Sequence, residues 1–184
     1  MMNLMECIKG RRSVRNFKPD AVSDALLKQV VEAASYSPSW KNSQSVRYLA
    51  IADTGLKTKL AEECVMGFEY NKKTILKAPM LVLVTTVSAR SGFERDGSFS
   101  TDKGTHWESF DAGIATQTFC LAAHEQGLGT VILGIYDEDK VMETAGVPKD
   151  QKVSAMVAVG FPDEMPAMPK RKSVDELLSI PIYR

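Results

Sequence analysis

Apolar positions recur with two periods along this chain, and they divide it into helices and strands. Leu4 and Ile8, one turn apart, open a short helix that gives way to the basic run Arg11 to Arg15. Beyond Ser23, a residue suited to cap a helix, the side chains Leu26, Leu27, Val30, Val31 and Ala34 make one apolar face until Ser37 and Pro38 interrupt it. Val46 to Ala52 predicts a strand, Leu56 to Met66 a helix with Leu60 and Cys64 on one side, and the almost unbroken apolar run Met80 to Val87 a buried central strand. Trp107 to Gln126 predicts the longest helix, with Trp107, Phe110, Ile114, Thr118 and Leu121 on its main stripe and Gly127 as its stop. That helix is apolar around most of its circumference, so it needs cover on more than one side, from its own domain or from a second copy of the chain. Thr130 to Gly134, a short helix Glu138 to Ala145 and a strand Ser154 to Gly160 complete the alternation, and the class is mixed α/β or α+β.

Two segments stand outside these periods. Ser88 to Thr105 mixes glycine with both charge signs and is either a surface excursion or a mobile cover over a site. Phe161 to Pro169 is dense in proline and leads into a tail. With 184 residues, 44% of them hydrophobic, the chain suffices for one domain with a real core. Lys plus Arg and Asp plus Glu are both 23, so no global field points to nucleic acid or to an anionic membrane. Cys7, Cys64 and Cys120 are odd in number and lie in apolar helical patterns, which predicts reduced thiols. Neither a signal-peptide run nor a stretch of the ~20 apolar residues that span a bilayer is visible, and the expected location is cytoplasmic.

Several chemistries find no support. Gly127, Gly129 and Gly134 do not form a strand-to-helix glycine fingerprint, which disfavours a Rossmann or P-loop site. His106 and His124 have no Cys or acid at ligand spacing, which disfavours a metal site. A triad from Ser13, His124 and Asp111 lacks a nucleophile elbow.

One constellation does carry chemistry. Arg11, Arg12, Ser13 and Arg15 place three guanidinium groups and a hydroxyl within five residues, at the end of a short helix. Guanidinium forks match phosphate oxygens and the hydroxyl adds a donor, so the group suits a phosphate monoester; a solvated basic turn has the same composition. A polar loop, Ser37 to Gln44, carries Trp40 as its single large aromatic, and Lys170, Arg171 and Lys172 form a second cationic cluster that either closes on a phosphate or stays solvated.

Together these residues resemble the nitroreductase family. Arg-Arg-Ser-Val-Arg-Asn-Phe from Arg11 to Phe17 is similar to the family's amino-terminal flavin motif, and Ser37 to Gln44 to its second, which the partner subunit contributes. Ala122 to Thr130 and Ala158 to Pro162 match in spacing and character. The resemblance implies a single α+β domain over 1–184, built in three layers: a central mixed, mainly antiparallel sheet flanked by helices, with the long helix at a homodimer interface and 163–184 a tail on the partner. It also implies FMN bound between the two chains. Arg11, Arg12, Ser13 and Arg15 would hold its phosphate, ribityl and pyrimidine edge, while Pro38, Ser39, Asn42 and Gln44 would come from the partner. Trp40, also in this loop, stands where small residues are also usual in the family. Ile132, Leu133 and Gly134 would run past the ring, without the Pro and Glu of better-known members, and Arg171, with Lys170, would return to the phosphate. The implied activity is hydride transfer from NADH or NADPH through FMN to an electron-poor acceptor such as a nitroaromatic or quinone, donor and acceptor taking turns. A specialised dehydrogenase or dehalogenase, or a module that stores FMN or senses redox state, would share these motifs.

Overall fold

The computed structural model describes residues 2–181. Its elements run α1 (Leu4–Gly10), α2 (Asp24–Ser35), a single 3₁₀ turn (Trp40–Asn42), β1 (Val46–Ile51), α3 (Thr54–Glu63), α4 (Glu69–Lys77), β2 (Met80–Val87), α5 (His106–Glu125), β3 (Gly129–Leu133), α6 (Glu138–Ala145), β4 (Gln151–Gly160) and α7 (Val174–Leu177). The strands form one sheet in the order β1-β2-β4-β3, and every pairing between them is antiparallel. The parallel component is confined to an isolated bridge from Ser13 to Thr130.

The sheet is the middle of three layers because its two inner strands are apolar on both faces. In β2, Leu81 and Leu83 join Leu60, Ile75 and Val141 beneath α3, α4 and α6, while Met80, Val82 and Val84 join Val30, Phe119 and Ala123 beneath α2 and α5. In β4, Ser154 is the extra residue of a bulge, the pairing passing from Val84–Ala155 to Thr85–Val153. That one insertion switches parity, so Val153 and Ala155 serve opposite cores although they are two apart. Each fully buried Leu, Val or Phe in these layers contributes about 1.5–3 kcal/mol.

Helix ends follow their local chemistry. Ser23 caps α2 through Leu26 N–H, Asp53 caps α3 through Leu56 N–H, and Asn3 with Glu6 forms a reciprocal capping box on α1. Periodicity does not predict α4, because its buried face uses Asn71 and Thr74 beside Ile75 and shows no apolar stripe, and one expectation needs correction. On α5 the deeply buried face is Glu108, Asp111, Ala112, Ala115, Thr116, Phe119, Cys120 and Ala123, not the expected stripe; Phe110 on that stripe is 58% exposed. The three cysteines are free and buried, as their patterns predict.

Candidate cofactor site

The arginine segment is strapped along the amino end of β3, where β4 leaves the sheet. α1 ends at Gly10, Arg11 turns away in an extended conformation, and its N–H still donates to Cys7 O at 3.0 Å. Ser13 then runs beside Thr130, with Val14 N–H donating to Thr130 O at 3.0 Å. Gly129 makes this approach feasible: a Cβ there would lie 2.7 Å from Val14 Cβ, and Val14 is 1% exposed. Lys18 N–H to Phe161 O, 2.9 Å, and Asp163 N–H to Asn16 O, 3.1 Å, fasten the other end to the exit of β4.

These straps bring Arg11, Arg12, Ser13 and Arg15 around one cavity of about 530 Å³, and the tail closes it with Pro166, Ala167, Pro169 and Arg171. Four arginines from opposite ends of the chain therefore line one cavity, and Lys170 stands outside the lining. None of them makes an ion pair among the described residues. Arg12 instead donates to Lys9 O at 2.5 Å and Arg11 O at 2.9 Å, and Arg15 donates to Ser13 O at 3.0 Å while lying 5.6 Å from the centre of the Tyr70 ring. Guanidinium groups without acidic partners suit an anion. Alongside, burial first and then Arg11 and Arg12 push the His124 imidazole below its ordinary value. β3 is an edge strand, and past Thr130 it continues with Ile132 half-exposed, Leu133 buried and Gly134 exposed.

The second polar group lies elsewhere. Pro38, Ser39 and Gln44, with Ser37, line a separate cavity of about 380 Å³ against α2, β1 and Asp111; Trp40 and Asn42 do not reach it. Lys41, Asn42 and Gln44 have positive φ of 44°, 54° and 45°, conformations costly for residues other than glycine. What holds them is Asp111, 2% exposed on α5, which accepts Trp40 N–H and the hydroxyls of Ser43 and Ser91. Ser39 Oγ accepts Gln44 N–H at 3.0 Å. Ser37 Oγ, Trp40 Nε1 and Ser45 Oγ are buried without a partner, a concentration of orphaned polar atoms on this one loop.

The segment 88–105 packs down on the same region as a tied surface excursion. Ala89 N–H donates to Glu108 Oε1 at 2.8 Å, Phe93 and Phe99 pair across a bridge, and Trp107 Nε1 donates to Thr101 Oγ1 at 2.8 Å. Lys41 and Glu94 form an ion pair at 2.7 Å, and the Trp40 and Trp107 rings lie 4.4 Å apart. The two groups of predicted residues thus do not meet within one chain. Nor does the triad: Asp111 and His124 are thirteen positions apart on one helix, about 20 Å along its axis.

The structural roles of three residues at these sites are not legible in the sequence. Asp111 and Glu108 are buried acids that serve neighbouring loops, and Asn71 fastens α4 to the end of β3 by donating to Ile135 O at 3.0 Å. A lone acid or amide on a helix carries no pattern.

The chain matches the sequence profile of the Nitroreductase family over residues 8–74 and 67–161. It belongs to the nitroreductase family. It is similar to an FMN reductase (NAD(P)H) of Bacillus subtilis, 27% identical, the alignment covering 93% of this chain and 70% of that one. Among solved structures, NfrA2 of B. megaterium superposes with a TM-score of 0.82 at 26% identity, covering 100% of this chain and 76% of the other. A nitroreductase family protein from Streptococcus pneumoniae superposes at 0.86 with 20% identity, over 97% and 100% of the two chains, a likeness of fold.

Proposed function

We propose that this protein is an FMN-dependent oxidoreductase that takes electrons from NADH or NADPH and delivers them to an electron-poor acceptor such as a nitroaromatic or quinone, working as a homodimer. The observation that carries the reading is the convergence of Arg11, Arg12, Arg15 and Arg171 with Ser13 around one cavity beside the edge of β3, in a chain of this family. The donor set fits the cofactor. Guanidinium forks and a hydroxyl suit its phosphate monoester, and no acid of the chain competes for them among the described ion pairs.

When bound, FMN supplies the two-electron exchange between the reduced nicotinamide and the acceptor, which visit in turn. Arg11, Arg12, Ser13 and Arg15 would hold its phosphate, ribityl and pyrimidine edge, and Arg171 would return to the phosphate. Cations of this turn also favour negative charge on the pyrimidine edge. Ile132, Leu133 and Gly134 offer backbone along the ring.

Pro38, Ser39, Asn42 and Gln44 complete the site from the partner, with Trp40 anchoring the loop against Trp107 and excluding water. Two features support this shared site. The loop holds strained backbone and orphaned polar atoms outside the arginine cavity of its own chain, and Leu4, Met5, Ile8 and Phe110 expose apolar surface that a second copy would cover. Tail residues Val174, Leu177, Leu178 and Ile180 are exposed as well, which supports packing of 163–184 on the partner; positions 182–184 of that tail lie outside the described residues.

The deciding experiment is an anaerobic absorbance scan before and after NADH and then NADPH. A yellow protein that bleaches carries the reading and identifies the donor. A yellow protein bleached by neither would favour a storage or sensing module, and a protein that takes up no FMN would overturn the reading.

A further inference from the structure

His124, half-buried on the last turn of α5, fills the space in which any residue but glycine at position 10 would place a Cβ; such an atom would lie 2.7 Å from its Nε2. Gly10 is the last residue of α1, and Arg11 and Arg12 follow it directly. The turn that carries two of the cavity's cations therefore rests on an imidazole. One turn back, Cys7 ties the same helix to α5 by donating its thiol hydrogen to Leu121 O at 3.3 Å. The imidazole itself has no hydrogen-bond partner among the described residues.

We propose that His124 is the positioning residue of the phosphate-holding turn, and that it takes up a proton as a phosphate monoester binds there; this rests on the FMN reading above. Without ligand, burial and the two arginines keep the imidazole neutral near pH 7. A phosphate monoester brings close to two negative charges and reverses the field that those arginines impose. The protonated imidazole then adds a further cation behind the turn. Besides the two arginines, the ionisable groups around the imidazole are Glu125, Lys9, Cys7 and Cys120. Glu125, beside it on α5, accepts from Gln126 Nε2 at 2.8 Å, Lys9 is exposed, and the thiols of Cys7 and Cys120 are pushed up by burial, which keeps them uncharged.

A group whose proton affinity is higher in the bound state makes binding tighter as pH falls, by at most about tenfold per pH unit for one proton. The second ionisation of the phosphate, near about pH 6, opposes this equally in every variant, so a comparison between variants isolates the histidine.

The test uses the fact that the chain has two histidines. His106 stands at the other end of α5, about 27 Å away along the axis, and serves as the internal control. NMR titration of both imidazoles is run on the protein freed of flavin, with FMN, and with riboflavin, which lacks the phosphate. The expected result is a His124 midpoint that rises with FMN, stays with riboflavin, and leaves His106 unmoved. In parallel, FMN affinity is read by flavin fluorescence between roughly pH 5.5 and 8, the range in which histidine titrates. His124→Gln should lose the extra tightening at low pH while keeping the volume against Gly10. A purely structural role would shift affinity equally at all pH values. FMN binding with an unmoved His124 midpoint would overturn this inference and leave the cofactor reading standing; no FMN binding at any pH would overturn both.

Discussion

The carboxylate of Asp111 receives the backbone N–H of Trp40 on both of its oxygens, at 3.1 and 3.0 Å. The same carboxylate accepts Ser91 Oγ at 2.7 Å and Ser43 Oγ at 3.4 Å, so one side chain on α5 fixes two loops at once. Asp111→Asn keeps the volume but turns an amide donor toward groups that are themselves donors. The expected cost is about 1–3 kcal/mol, the price of an unsatisfied buried group. Urea unfolding should show it, and emission from the only two tryptophans, Trp40 and Trp107, should change in the folded state as the ring pair loosens. An unchanged midpoint and spectrum would mean that the strained loop holds itself.

Arg171 reaches the arginine cavity from the tail, whereas Lys170 beside it does not. If the cavity holds FMN phosphate, Arg171→Ala removes a charge-assisted bond of about 1.5–3 kcal/mol and weakens FMN binding roughly 10- to 150-fold. Lys170→Ala should leave it within about twofold, since a solvated charge contributes little. Riboflavin affinity should respond to neither. Equal losses from both substitutions would replace a specific contact with a general field.

How much of this was legible in the sequence depends on what each element buries. β1, β2, α5 and α6 fall within a residue of where periodicity puts them, because their apolar runs are long or cleanly capped. β4 begins three residues before its expected start, since the bulge at Ser154 breaks the alternation there. α4 was invisible because Asn71 and Thr74 occupy its buried face. On α5, apolar side chains surround the helix, and periodicity had no means of choosing which side faces the sheet; the answer lay with Glu108, Asp111 and Thr116, polar residues buried by hydrogen bonds to neighbouring loops and to the helix itself. The arginine cluster was legible as a local run. Its union with Arg171, some 156 positions beyond Arg15, required the fold.

Alkaline stability offers a test of the packing around the sheet. Tyr48 is stacked on Phe119 at 5.3 Å and its hydroxyl lies 3.5 Å from Ala115 O; burial, aided by the Cys120 thiol, pushes it up to about 12. Tyr136, which donates to Val153 O at 2.8 Å, is likewise pushed up to about 12 by burial and by Glu138. An unfolded tyrosine titrates at about 10. Between these values the unfolded chain has released protons that the folded chain retains, so stability is fully present below about pH 10 and falls as pH rises toward about 12. Tyr48→Phe keeps the stacked ring and should make that fall shallower. Unfolding curves at stepped alkaline pH would show it; an unaltered slope would mean that Tyr48 is ionised as readily folded as unfolded.

If a homodimer forms through α5, Phe110 is the residue that tests it. Its ring stands edge-on to Trp107 at 5.5 Å and is otherwise 58% exposed, one residue from the buried Asp111. Within a single chain Phe110→Glu gives up only the aromatic contact, about 0.5–1.5 kcal/mol, and the fold should survive. Across a twofold interface the residue appears on both subunits, so the substitution buries carboxylates at two related places and should prevent association. Sedimentation would then report a monomer, and, if the loop 37–44 of a partner completes the cofactor site, FMN would be retained weakly. A monomer that kept full FMN affinity would confine the cofactor to one chain, and an intact dimer would move the interface away from this face of α5.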